Sequence, residues 1–168
     1  MKKLSILVSI IVSAALNLSA ANLSATFADD IWKGSMVPKT EVCSNFNTKV
    51  GSTPSIILEN IPSDATKIVL KFSDETFKGM SDGGHGIIAY KIAKNSSKVT
   101  IPSIKGETFD LPKEFSIVVE HRGKKFGKTP GAYLAPCSGG KGNTYSVLIK
   151  AMNGEEVLDT TSLTLGTF

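Results

Sequence analysis

The stretch PSIILENIPSDATKIVLKFSD (residues 54–74) holds two runs of isoleucine, valine and leucine, separated by a proline and polar residues. Apolar, β-branched runs of this length between turn-forming residues are typical of β-strands. The pattern recurs along the chain, and no convincing helical periodicity appears after the N-terminal region. The predicted strands are 54–62, 66–74, 85–92, 98–104, 114–121, 144–152 and 156–165.

Strands at this spacing predict an all-β sandwich or barrel. The sequence has no internal repeat, no linker-like tract and no shift in composition. About 148 residues follow the N-terminal region, which is the size of one domain with a full core. We therefore expect a single domain over residues 22–168.

The first residues, MKKLSILVSIIVSAALNLSAANLSA (1–25), combine two lysines, a short apolar run and small residues. This order is typical of a cleaved secretory signal peptide, and the apolar run is short for a transmembrane helix. We expect residues 1–21 to be removed, with cleavage after Ala20 or Ala21 and Ala28 as a weaker site. An uncleaved membrane anchor is the alternative. The mature protein is expected to be periplasmic or secreted and not to span the membrane.

Charge gives little indication of a partner. Two of the 19 basic side chains lie in the signal region, which leaves 17 against 15 acidic ones. A net charge near +2 does not predict binding to nucleic acid. The basic cluster HRGKKFGK (121–128) is interpreted as a solvated loop, with a phosphate or lipid-headgroup patch as the alternative.

Chemistry-bearing residues are few. Asp74 ends a predicted strand and His85 begins the next, so the two side chains converge if these strands are neighbours. An ordinary loop aspartate and surface histidine are the alternative. Neither metal-ligand spacing nor a nucleophile-elbow motif occurs, so no metal or cofactor is predicted. Cys43 and Cys137 form a disulfide in our interpretation because exported chains favour pairing. Two free thiols, or a Cys137 thiolate beside His85, are the alternatives.

Ordered motifs along the chain resemble the phosphatidylethanolamine-binding protein family, in its bacterial Raf-kinase-inhibitor-like branch. The segment GGHGII resembles the family's Trp-x-His strand, with His85 as its histidine, and the final LTLGTF resembles the family's closing motif. The other matching positions are Val37-Pro38, Cys43, Thr53-Pro54, Ile61-Pro62, Ser73-Asp74, Phe126-Gly127, Tyr133, Pro136, Cys137 and Tyr145.

The resemblance implies an antiparallel β-sandwich with few or no helices and a small anion-binding pocket. One wall is the loop APCSGGKGNTY (135–145), whose bare glycines leave backbone N–H groups for phosphate-like oxygens. His85 would donate a hydrogen bond, while Asp74 would fix its tautomer or bind an amine of the ligand. The implied ligand-binding residues are Asp74, His85, Tyr133, Pro136, Cys137, Asn143 and Tyr145.

The sequence also departs from the family pattern. Asn143 occupies the position of the second pocket histidine, Thr144 that of an arginine, and Glu75 that of the proline after the aspartate. Ser138 and Gly139 replace paired prolines, and Gly86 fills a usually bulky site. An amide cannot titrate, so the pocket should carry less positive charge.

The function implied by the resemblance is binding, without catalysis, of a small anionic or phosphoryl-bearing ligand such as a phospholipid headgroup. A scaffold or inhibitor that acts through its protein surface, with a vestigial pocket, is one alternative. A hydrolase that uses His85 and Asp74 is the other. The sequence identifies no protein partner.

Overall fold

The structure is a computed structural model that describes residues 22–127 and 129–168. The predicted signal peptide lies outside the described residues. Eight strands and one 3₁₀ turn, Lys78–Met80, are present in the described part. The strands are β1 (Ser24–Phe27), β2 (Ile56–Glu59), β3 (Lys67–Asp74), β4 (Ile87–Lys91), β5 (Lys98–Ile101), β6 (Phe115–Val119), β7 (Thr144–Asn153) and β8 (Glu156–Thr167).

The strands form two sheets. A three-stranded sheet has the order β1-β2-β5, and a five-stranded sheet has the order β6-β4-β3-β7-β8. Neighbouring strands within both sheets run antiparallel. The predicted antiparallel, all-β architecture with few or no helices is therefore confirmed.

The core lies between the sheets and follows from the alternation of apolar side chains along the strands. In β7, Tyr145, Val147, Ile149 and Ala151 are buried, while the residues between them are partly exposed. Successive side chains of a strand point to opposite faces, so this period of two places one whole face inside. The facing strand β2 contributes two fully buried residues to the same cluster, Ile56 and Leu58.

Each of the seven predicted strands overlaps an observed strand, and one observed strand, β1, was not predicted. Its four residues directly follow the apolar N-terminal region, so no separate strand signal stands out in the sequence. The structure pairs β1 with β2, and the backbone N–H of Leu23 donates to Asp159 Oδ2 at 2.8 Å. Long-range pairing therefore makes this short segment a strand.

Sheet register brings the predicted site together. Asp74 is the last residue of β3 and lies opposite Tyr145 near the start of β7. His85 precedes β4, and its backbone N–H donates to the carbonyl of Phe72 at 3.1 Å. The ends of three adjacent strands thus meet at one edge of the large sheet. Within the described residues, no helix is long and apolar enough to cross a membrane.

Candidate functional site

A cleft of about 520 Å³ opens at this edge of the sheet. Its lining joins buried polar side chains from the strand ends to exposed aromatic side chains from the surrounding loops. We call Asp74, His85, Asn143 and Tyr145 the floor. The rim is formed by Phe46, Phe77, Phe126 and Lys141, and the remaining lining residues are Thr76, Met80, Leu134, Cys137, Ser138 and Gly139.

Asp74 is held by three hydrogen bonds. Its Oδ1 accepts from the backbone N–H groups of Thr76 and Phe77 at 2.9 and 2.8 Å, so the carboxylate stabilises the turn after β3. Its Oδ2 accepts from Nδ2 of Asn143 at 2.6 Å. The side chain is only 3% exposed, and three donors compensate the cost of burying it.

His85 is also 3% exposed, and its Nδ1 lies 2.7 Å from the carbonyl oxygen of Leu134. The edge of its ring packs against Tyr145, with ring centroids 5.2 Å apart. Burial lowers the pKa of His85 to about 4, although the Leu134 carbonyl and Asp74 act in the opposite direction. We expected Asp74 to fix the tautomer of His85 or to bind an amine. The Leu134 carbonyl, and not Asp74, contacts Nδ1 of His85, whereas binding of an amine by Asp74 stays a prediction.

Gly86 makes the contact between His85 and Leu134 possible. Its φ is +116°, and a Cβ atom at this position would lie 2.1 Å from the carbonyl oxygen of Ala132. Glycine therefore lets residues 132–134 approach the turn before β4. The backbone N–H of Leu134 donates to the carbonyl of His85 at 3.0 Å, which completes this close pairing. The close approach of residues 132–134 therefore explains why position 86 is glycine here, where the family pattern has a bulky residue.

The glycine-rich loop differs from the expectation in one respect. Gly139, Gly140 and Gly142 adopt positive φ angles of 71°, 78° and 81°. However, the N–H groups of Gly142 and Asn143 donate to the carbonyl oxygen of Phe168, at 2.9 and 3.0 Å. These two donors, which we expected to be free for phosphate-like oxygens, are used to hold the loop against Phe168.

A disulfide joins Cys43 to Cys137, with 5.3 Å between the two Cα atoms, as predicted. The backbone N–H of Cys43 also donates to the carbonyl of Pro136 at 3.1 Å. The bridge therefore ties the segment that carries Phe46 to the glycine-rich loop. Because Cys137 is bonded to Cys43, the alternative of a Cys137 thiolate beside His85 is wrong for this oxidised state.

Five of the seven predicted ligand-binding residues line the cleft, and two do not. Tyr133 lies beneath it, 1% exposed, with its ring centroid 4.8 Å from that of Phe72. Its hydroxyl has no hydrogen-bond partner among the described residues, and burial raises its pKa. Pro136 is likewise buried below the floor, beside Tyr133. Both residues support the floor from within the core. The five that line the cleft are Asp74, His85, Cys137, Asn143 and Tyr145.

Sequence reasoning missed most of the rim. Phe46, Phe77 and Phe126 are 52%, 47% and 39% exposed, although they line the cleft. Phe77 and Phe126 contact each other edge to face, with centroids 6.0 Å apart. Of the three, only Phe126 matched a family motif, and we did not assign it to the pocket. A phenylalanine three residues after Asp74 was the available signal for Phe77.

The described residues include no cluster of three or more His, Cys, Asp or Glu side chains that could hold a metal ion. Nor does any serine, threonine or cysteine side chain among them form a hydrogen bond with His85. The floor of the cleft therefore provides hydrogen-bonding groups, and its rim provides apolar surface and one lysine.

Comparison with solved structures finds a protein of similar fold. No family model matches the sequence, and no curated protein matches it significantly. The crystal structure of Escherichia coli YbcL, described as a new member of the mammalian PEBP family, superposes with a TM-score of 0.59. The match covers 88% of this chain and 98% of YbcL, at 16% sequence identity. The chain therefore has the fold of a phosphatidylethanolamine-binding protein family member, as the sequence resemblance predicted.

Proposed function

We propose that this protein binds, without catalysis, a small ligand that carries an anionic or phosphoryl-type group. The observation that supports this proposal is the cleft itself, in which a buried polar floor lies below three exposed phenylalanine side chains. Binding sites for small molecules are typically concave and mostly apolar, with a few convergent polar groups. The fold is that of a family named for lipid binding, which supports a binding role at the level of the fold.

The anionic group is placed at Lys141. Lys141 is exposed, lies on the glycine-rich loop and contributes a cationic side chain to the lining. An ammonium on a flexible stem can meet a phosphate oxygen without a fixed geometry. A free phosphate ester and a phospholipid headgroup share this chemistry, so both belong to the proposed ligand class.

The absence of catalysis is part of the proposal. His85 has one ring nitrogen beside the Leu134 carbonyl, and Cys137 is in a disulfide. A general base needs a nucleophile or a water within hydrogen-bond reach, and a covalent mechanism needs a free nucleophile. Turnover of a phosphate ester, dependent on His85, would contradict this part and favour the hydrolase.

Titration calorimetry with ethyl phosphate tests the proposal. We expect saturable binding that weakens as salt is added, because charges at an exposed lysine are screened. Lys141→Ala should weaken binding, whereas Lys33→Ala, at an exposed lysine outside the cleft, should not. No binding, or equal weakening by both substitutions, would contradict the proposed site and favour a role through the protein surface.

We also propose export, with residues 1–21 removed and 22–168 forming the mature domain. The position of β1 favours cleavage after Ala20 or Ala21 over cleavage after Ala28. Leu23 is 4% exposed, and Ser24–Phe27 pair with β2, so the later cleavage would remove a strand. Intact-mass measurement on protein from the native cell envelope should give Ala21 or Asn22 as the first residue. Recovery of the full chain from the cytosol would contradict export.

A further inference from the structure

His121 is a buried histidine outside the cleft lining, and its ring forms no hydrogen bond. It is 1% exposed, and neither Nδ1 nor Nε2 has a partner among the described residues. The chain has two histidines, and the other one, His85, donates from Nδ1 to the Leu134 carbonyl. Unpaired polar atoms in a protein interior cost free energy and are rare. What an imidazole adds to such a site is a group that titrates near neutral pH.

His121 lies at the base of a loop that carries part of the rim. We call residues 121–131 the rim loop, of which residue 128 lies outside the described part of the chain. The backbone N–H of His121 donates to the carbonyl of Gly131 at 3.4 Å, so it joins the two ends of the loop. Between these ends, Phe126 lines the cleft and contacts Phe77. A movement of the rim loop therefore changes the rim.

Glu107 ties the rim loop to the segment that carries Phe46. Glu107 is 7% exposed, and its carboxylate accepts from the backbone N–H of Ser44 at 2.8 Å and from the Ser44 hydroxyl. The same carboxylate accepts from the backbone N–H of Thr129 at 3.3 Å. The contacts at 3.3 and 3.4 Å lie beyond the usual range of N–H···O distances, so backbone hydrogen bonds at the loop ends hold it weakly.

The surroundings of His121 determine what protonation does to the loop. Burial lowers the pKa of His121 below its ordinary value of 6.5 and outweighs the attraction of two nearby carboxylates. The packed loop therefore excludes a proton that the same ring would accept in water. The groups that act on the ring are Glu107, Glu120, Lys124, His85 and the backbone of Thr129.

We propose that His121 is a pH-dependent switch that holds the rim loop closed when its ring is neutral and lets the loop open when its ring is protonated. Opening moves Phe126 away and widens the cleft on that side. The disulfide still joins Cys43 to Cys137, so the opening is confined to the rim loop. The switch itself needs no ligand, whereas its effect on binding rests on the proposed function.

Amide hydrogen exchange at pH 7.5 and pH 5.5 tests the switch without a ligand. Division of each observed rate by the intrinsic rate at the same pH gives the opening equilibrium. For the amides of Phe126 and Thr129, this equilibrium should rise up to about tenfold at pH 5.5, because the open loop takes up one proton with an ordinary pKa of 6.5. Both amides should open more often than those of β7. If they open only as often as β7, the loop opens only with the whole fold, and the switch is wrong.

Substitution of each histidine assigns the pH dependence. His121→Phe should remove it, because phenylalanine fills a buried site and cannot titrate. His85→Phe is the matched control, since it removes the other histidine and leaves His121, so the pH dependence of loop opening should persist. The same pH dependence in His121→Phe as in the unsubstituted protein, or its loss in His85→Phe, would overturn the proposal.

A measurement on the unsubstituted protein does not depend on whether a variant folds. Long-range proton–nitrogen NMR follows the protonation of both histidine rings during a pH titration. His121 should titrate with a pKa below 6.5. A pKa at or above 6.5 would mean that the closed loop accepts the proton, and it would overturn the switch.

Two ligands connect the switch to the cleft. At pH 5.5, butyl phosphate at ten times its dissociation constant should slow loop opening, because a ligand that contacts Phe126 favours the closed loop. Ethyl phosphate at the same saturation should slow it less, since its chain is shorter. Equal slowing by the two ligands would overturn the connection between the rim loop and the cleft. No saturable binding of either ligand would contradict the proposed function, whereas the exchange data without ligand would still decide the switch.

Discussion

The floor and the rim of the cleft are built in opposite ways. At the floor, Asp74, His85 and Tyr145 are at most 3% exposed, and hydrogen bonds to the backbone hold each of them. At the rim, the phenylalanine side chains are about half exposed and lie on segments outside the strands. Hydrogen bonds at the strand ends hold the floor, whereas the position of the rim depends on how its loops are tied together. This division suits a site in which the floor sets polarity and the rim adapts to the rest of the ligand.

The disulfide is the largest single tie between the rim segments. It joins cysteines 94 residues apart, so its loss should lower the free energy of unfolding by about 4.6 kcal/mol in the chain-entropy model. We expect the Cys43→Ala, Cys137→Ala double variant to show this loss in urea denaturation. Ligand binding should weaken too, because the segment that carries Phe46 and the glycine-rich loop are no longer covalently linked. The floor should keep its structure.

Two measurements check this prediction. Thiol titration of the denatured, unreduced protein should find no free thiol. Long-range NMR on the double variant should still detect the proton of His85 on Nδ1. Two free thiols per chain would contradict the bridge, and a changed His85 tautomer would show that floor and rim are not independent.

The second largest effect should come from pH acting on the floor. The pKa of His85 is about 4 in the folded protein, against an ordinary value of 6.5 that the unfolded chain should retain. As the pH falls below 6.5, the unfolded chain binds a proton that the folded chain excludes. Stability should therefore decrease between pH 6.5 and pH 4 and level off below, by roughly 3 kcal/mol in total.

His121 acts in the same direction, because burial also lowers its pKa. His85→Phe is therefore the comparison that isolates the floor, since it retains an aromatic ring and His121 but removes one titrating group. Denaturation at pH 7 and at pH 4 should give a smaller difference for this variant than for the unsubstituted protein. If stability falls by the same amount between pH 7 and pH 4 in the variant and in the unsubstituted protein, then His85 is protonated in the folded state, or its burial does not cause the loss of stability.

The contrast between floor and rim also explains what the sequence could predict. Strand runs are local patterns, so the strand ends that carry Asp74 and His85 were recognisable. The resemblance then supplied Cys137, Asn143 and Tyr145 as their neighbours. By contrast, the hydrogen bond from His85 to Leu134 depends on the close approach at Gly86, which no local pattern specifies. The Phe168 contact that occupies two backbone donors of the glycine-rich loop likewise joins distant parts of the chain.

Tyr133 and Pro136 illustrate the same limit. A family motif places both residues next to Cys137, but it does not say which face of the segment meets the cleft. The structure directs Tyr133 into the core and Cys137 to the surface. The rim phenylalanines, by contrast, were not assigned to the cleft although they line it. A single exposed aromatic side chain indicates a binding site only once its neighbours in the structure are known.

A smaller effect is expected at Asn143, which connects the two parts of the cleft. Its Nδ2 donates to Asp74 at 2.6 Å, while its backbone N–H and carbonyl both bond to Phe168. Asn143→Ala removes only the side-chain bond, so the loop should stay in place. We expect a loss of about 1.5 kcal/mol in the free energy of unfolding, the low end for a hydrogen bond to a charged group.

Ethyl phosphate binding by variants at Asn143 tests whether the floor responds to a charge at this position. Asn143→His should strengthen binding of ethyl phosphate mainly below about pH 6.5, where an unperturbed imidazole gains its proton. Asn143→Ala lacks that titrating group and serves as the control. If both variants bind ethyl phosphate equally at pH 5.5 and pH 7.5, the floor does not sense the charge at position 143.

The smallest effect should come from single rim phenylalanines, and it should appear in binding more than in stability. Phe77 is 47% exposed, and its backbone N–H, which supports Asp74, survives substitution by alanine. Phe77→Ala should therefore change stability by less than about 1 kcal/mol. Butyl phosphate should bind about fivefold more weakly to this variant, the effect of about 40 Å² of lost apolar contact, whereas ethyl phosphate should change little.

Phe109→Ala is the matched control, because Phe109 is 50% exposed and lies outside the cleft lining. Equal effects of the two substitutions on butyl phosphate would mean that the rim does not contact the ligand.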